Sequence, residues 1–171
     1  MLRMNWRFVF LFAGLVLVQV LILNNMMLGG YANPQLYILF VLMLPVNVPG
    51  WLLLASSFVL GLILDAFSDS MAIHAAATVF MAFCRPAMIR FVTGNTVMQG
   101  QEVPSFSVFG GFSLILYALA LILLHHAVLF FLEIFHFAEF VQTLSRIVIS
   151  AGLTLVFAII GFALLERSFS N

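Results

Sequence analysis

The stretch LYILFVLMLPVNVPGWLLLASSFVLGLILD, residues 36 to 65, decides the fold. Its two apolar halves are interrupted by PVNVPG at residues 45 to 50. Two prolines four apart, with Asn47 between them and Gly50 after, punctuate a turn, because each proline lacks a donor N–H and clashes with the preceding helical turn. The stretch is therefore either one long helix kinked at Pro45 and Pro49 or two short helices joined by a tight turn.

Working outward, the composition sets the solvent. The chain is 65% hydrophobic and 7% charged, it has no lysine, and twenty of its 171 residues are phenylalanine. An ordinary soluble domain carries roughly 25% charged residues. One soluble core of this size could not enclose so much apolar surface, so the chain belongs in a membrane. Its formal net charge of zero offers no basic footprint, and no nucleic-acid partner is expected. The single cysteine, Cys84, reads as a buried apolar filler. There is no Gly-rich phosphate loop, no Gly-x-Ser-x-Gly and no His-Glu-x-x-His, and no cofactor is expected.

A bilayer core takes about 20 apolar residues as helix. Runs of that kind cover residues 8–28, 71–91, 106–132 and 140–165, and the broken stretch supplies either one more span or two, at 36–46 and 50–65. Arginine prefers the cytoplasmic side, and this preference separates the two counts. With six spans and a cytoplasmic N-terminus, Arg3, Arg7, Arg85, Arg90 and Arg167 all fall on that side and only Arg146 lies toward the outside. With five spans the arginines divide evenly. The sequence thus predicts an all-α, single-domain, six-span protein with both termini cytoplasmic. Arg3 and Arg7 precede the apolar run Phe8 to Leu23, which is long for a signal core, and Gly30-Tyr31-Ala32 lies well beyond it, so the first span is expected to be retained.

Polar residues within such a chain are few, and each has a bland reading beside a functional one. Asp65 and Asp69 fall where the third helix gives way to the fourth, and Asp69 or Ser70 is expected to cap the fourth helix. Ser57, Gly61 and Asp65 are four apart, which makes a small-residue face on which another helix can pack closely; Ala72 and Ala76 make a second one. On the last helix, Glu139, Gln142, Thr143, Arg146, Ser150 and Thr154 form one polar stripe. Arg146 either snorkels toward the headgroups or is paired, with Glu139 and Asp65 as first partners in a polar clamp. Glu133-x-x-His136 with Glu139 has metal-ligand spacing but lacks the second motif a di-metal bundle needs, so it reads as polar residues at a helix end. His125 and His126 read as interfacial or packed, since a proton relay should have acidic partners at mid-membrane depth. Arg85 and Arg90 read as cytoplasmic anchors, able also to meet anionic lipid or a cytoplasmic partner.

Taken together, the proline-turn hairpin, Gly61-Leu62-Ile63-Leu64-Asp65 and the turn Ser68-Asp69-Ser70 leading into His74-Ala75-Ala76 resemble the MreD family of rod shape-determining proteins. The likeness is concentrated in residues 34–92, with Gly61 and Asp65 as the matching positions; the family often carries glycine in the turn that here reads Ser68-Asp69-Ser70. It implies a non-catalytic scaffold in the bacterial cytoplasmic membrane. Such a scaffold binds MreC, a single-span protein, and works with MreB filaments and the lateral-wall peptidoglycan synthases. It also implies a fold similar to the membrane-embedded substrate-binding subunits of energy-coupling-factor vitamin transporters, and that relationship supplies the alternative function. Against the alternative, residues 24–35 carry no charge, and the first helix has Ala13 and Gly14 but not the alanines spaced by four through which those subunits dock. An intramembrane enzyme would need a nucleophile and a base at shared depth, and the sequence offers none.

Overall fold

The structure is a computed structural model that describes residues 6–25, 32–94, 102–134 and 140–169. Every regular element among them is helical: α1 (Trp6–Leu21), α2 (Leu39–Met43), α3 (Gly50–Ser68), α4 (Ile73–Thr93), α5 (Phe106–Phe109), α6 (Gly111–Ile134) and α7 (Phe140–Phe169). Short 3₁₀ turns at Leu23–Asn25 and Leu36–Ile38 follow α1 and precede α2. Among the described residues, five helices are long and apolar enough to cross a membrane, beginning at Trp6, Gly50, Ile73, Gly111 and Phe140.

PVNVPG breaks the helix as its prolines require. The Pro49 carbonyl accepts from the Leu52 and Leu53 N–H groups, so α3 starts immediately after the second proline. Its 19 residues span about 28 Å at 1.5 Å each. The preceding half is different. The 3₁₀ turn and α2 together cover about 13 Å, less than half of a bilayer core. The short helix expected over 36–46 is a 3₁₀ turn followed by five α-helical residues in the bundle interior, where no residue from Tyr37 to Leu44 is more than 7% exposed.

α3 packs on α4, α4 on α6, and α6 on α7, while α1 lies against α3 and the short segment. At the α3–α4 contact the backbones themselves meet. A Cβ on Gly61 would run into the Ala75 backbone and the His74 carbonyl carbon, so only glycine lets the two backbones meet there. Between them, Asp69 (φ +52°) and Ala72 (φ +59°) take left-handed conformations that turn the chain sharply. The outer surface of the bundle is apolar, with Phe58, Phe80, Phe83, Val148 and Ile160 among its exposed side chains.

Candidate functional site

The bundle has an Asp65 end and an Arg85 end, and its buried polar groups gather into one layer near each. At the Asp65 end the carboxylate is 5% exposed and fully engaged. Oδ1 accepts from the Ser70 hydroxyl at 2.6 Å and from the His74 N–H at 2.9 Å, and His74 Nδ1 lies 3.0 Å away. Oδ2 accepts from the Ala75 N–H at 2.9 Å. Asp65 thus caps α4 across the turn, placing negative charge at the positive end of that helix. The expected caps, Asp69 and Ser70, do not fill that role: Asp69 terminates α3, and the Ser70 hydroxyl serves the Asp65 carboxylate. Ser57 and Gly61 are buried on the face toward α4, and the residue that meets Gly61 is Ala75. Ala72 and Ala76 are exposed, one of them outside the helix, because the left-handed turn sets the start of α4 after Ala72.

One layer deeper, the irregular backbone entering the buried segment is satisfied by side chains from other helices. The Asn33 N–H donates to Ser150 Oγ at 2.9 Å, and the Gln35 N–H to Thr154 Oγ1 at 3.0 Å. The Leu36 N–H donates to Gln19 Oε1 at 2.7 Å, and Gln19 Nε2 returns a bond to the Pro34 carbonyl at 3.1 Å. Tyr37 Oη meets His125 Nε2 at 2.9 Å, and His126 Nε2 lies 3.2 Å from Thr154 Oγ1. His125 and His126 are fully buried, packed and not interfacial. Non-helical backbone at this depth is tolerable only when protein serves it in this way.

At the other end Arg85 closes the segment. Read from sequence as a surface anchor, it is 1% exposed, and its guanidinium donates to Tyr117 Oη at 2.8 Å, to the Pro45 carbonyl at 3.3 Å and to the Leu44 carbonyl. Tyr117 in turn donates to the Leu42 carbonyl at 3.0 Å. A forked donor matches two successive carbonyls just past the end of α2, which a surface role would not require. Arg90, one turn on, is exposed at the end of α4.

Of the proposed clamp, Asp65 and Arg146 are not paired with each other. Arg146 Nη2 lies 3.4 Å from Glu133 Oε1, with its guanidinium 4.7 Å from the Phe130 ring centroid, while Asp65 is engaged with α4. Glu139 and His136 lie outside the described residues, so the Glu133/His136/Glu139 spacing is represented there by Glu133 alone. Gln19 and Tyr37 were not singled out in the sequence; a glutamine and a tyrosine inside apolar runs were the available signal.

An open cavity of about 700 Å³ lies at the Asp65 end, and its lining includes Asn24, Asn33, Ser70, His74, Leu129 and Glu133. Comparison with protein-family models, with curated proteins and with solved structures finds no match.

Proposed function

We propose that the chain is a non-catalytic scaffold of MreD type in the bacterial cytoplasmic membrane. It crosses six times, the short buried segment making the second crossing, with both termini cytoplasmic and the Asp65 end outside. Its partner is an MreC-like single-span protein, and through it MreB and the lateral-wall peptidoglycan synthases. The observation that carries the reading is the use of Asp65. It is the only buried carboxylate among the described residues, and its bonds go to capping α4 beside the Gly61–Ala75 crossing. That use is architectural, and it falls on the two positions through which the sequence resembles the family.

That both termini lie on one side is supported by the arrangement at the Arg85 end. Arg7 donates to the Ser168 carbonyl there, joining the two termini, and exposed Trp6 and Trp51 begin α1 and α3 at the level where aromatic belts sit.

One observation favours the alternative, a substrate-binding subunit of an energy-coupling-factor transporter. The open cavity is within the range of about 300–1,000 Å³ common to small-molecule sites. Purification of the tagged chain from native membranes in mild detergent, with mass spectrometry of what accompanies it, separates the two. A single-span protein with wall-synthesis enzymes is the expected result; a pair of ATPases with a coupling membrane subunit would replace the scaffold with the transporter.

A further inference from the structure

Between the two polar layers the interior is apolar. Seven positions, about 10 Å of helix, carry α4 from Thr78 to Arg85, and eight, about 12 Å, carry α6 from Tyr117 to His125. Met81, Ala82, Leu121 and Ile122 lie in that interval and are fully buried. Toward the cavity, by contrast, the polar groups follow one another closely. His74 stands on the cavity wall, with its ring centroid 6.1 Å from that of Tyr37. The Tyr37 hydroxyl meets His125, and the His125 and His126 rings are 5.5 Å apart. In the same layer His125 Nδ1 and both polar atoms of the Gln35 amide have no partner among the described residues, although Gln35 is 1% exposed. Buried groups of this kind are ordinarily met by water.

We propose that water enters from the cavity past His74 and reaches the His125–His126 pair, so that these histidines exchange protons with the aqueous phase at the Asp65 end and not with the other. Only the identity of that phase, the outer one, rests on the orientation proposed above.

The receiving atom follows from the bonds. His126 Nδ1 is 2.9 Å from the Ile122 carbonyl, so that nitrogen carries the hydrogen and Nε2 holds the free electron pair. A proton delivered by water forms an Nε2–H bond directed at Thr154 Oγ1, which donates its own hydrogen to the Ser150 carbonyl at 2.8 Å. Both N–H groups of the resulting imidazolium then have acceptors, and the site gains one positive charge. The charged and titratable groups around the pair are Tyr37 from the buried segment, the Asp65–His74 pair from α3 and α4, and Arg146 with Glu133, which reaches it through Phe130. From α1 comes the neutral Gln19. Because Thr154 also accepts the Gln35 N–H, a charge on the pair acts directly on the backbone of the buried segment.

Histidine C2 hydrogen–deuterium exchange, followed by mass spectrometry on the unmodified chain in nanodiscs between acid and alkaline pH, tests this without a variant. The 125–126 pair is expected to exchange, with a rate that inflects with pH, and His74 serves as the accessible reference. A pair that stays unexchanged while His74 exchanges fully would overturn the proposal.

Sidedness comes from a Cys84→Ala background carrying Gln35→Cys or Leu121→Cys, treated with an impermeant methanethiosulfonate in right-side-out and inverted vesicles. Labelling of the first from the outside and of the second from neither side is expected. Labelling of the first only in inverted vesicles keeps the path and overturns the orientation, whereas labelling of both from both sides overturns the closed apolar layer. Should Gln35→Cys fail to accumulate, the exchange measurement still decides whether water reaches the pair.

Discussion

Gly61→Ala adds one methyl group where the α3 and α4 backbones meet. The new Cβ would meet three backbone atoms, the Ala75 Cα and N and the His74 carbonyl carbon, closer than any real Cβ contact. Backbone cannot rotate away as the tip of a side chain can, so α3 and α4 must separate. Overpacking of this kind costs about 1–3 kcal/mol. Separation also lengthens the two 2.9 Å bonds from His74 and Ala75 to the Asp65 carboxylate, each of a type worth about 1.5–3 kcal/mol. Partial loss of these brings the total to about 3 kcal/mol, or about 6–12 °C in Tm for a chain of this length. Gly14→Ala is the internal control: it is exposed, nothing lies within 4 Å of its added Cβ, and it gains up to about 1 kcal/mol of helix propensity. Thermal unfolding of both variants in one detergent should therefore move them in opposite directions. A Gly61→Ala protein that melts with the wild type would refute the close α3–α4 crossing and the capping geometry built on it.

Other substitutions probe the two polar layers. Asp65→Asn keeps the size but sets an amide donor against a backbone N–H, and should lower stability by about 1–3 kcal/mol in a denaturation series, with Asp65→Ala worse. Arg85→Leu leaves the Leu44 carbonyl without its donor and the Pro45 carbonyl with only the Val48 N–H, and should abolish a monodisperse peak on size exclusion, while Arg85→Lys, with a compact ammonium in place of the fork, should recover only part of it. Arg146→Gln removes a partly exposed pair at 3.4 Å and should cost no more than about 1 kcal/mol, leaving the response to Asp65→Asn unchanged in a double-mutant cycle. Strong coupling in that cycle would restore the clamp between the two residues.

How much of this could be read from the chain depends on how local the cause is. Apolar run lengths and the PVNVPG break are local, and α1, α3, α4, α6 and α7 lie where those signals put them. Ser150 and Thr154 were recognisable as part of one polar stripe because period alone reveals a shared face. What they bond was not, since Asn33 and Gln35 lie 117 and 119 positions away. Arg85 misled for a related reason. An arginine at the end of an apolar run looks the same whether its fork meets lipid headgroups or two carbonyls about 40 positions earlier. That Ala75, and neither member of the Ala72/Ala76 face, meets Gly61 follows from the turn made by two left-handed residues, Asp69 and Ala72, and an alanine gives no warning of such a conformation.

The buried segment also constrains how the protein is made. Residues 33–45 leave the ribosome early, yet their backbone groups wait for Arg85, then Tyr117, and finally Ser150 and Thr154 on the last helix. Until those arrive, the nascent segment has unmet N–H and C=O groups that hydrocarbon cannot solvate. Until then those groups need water or other protein to serve them. A chain stopped before Ser150 would therefore be released with its centre unfinished, marked for quality control even though its earlier apolar helices had already inserted.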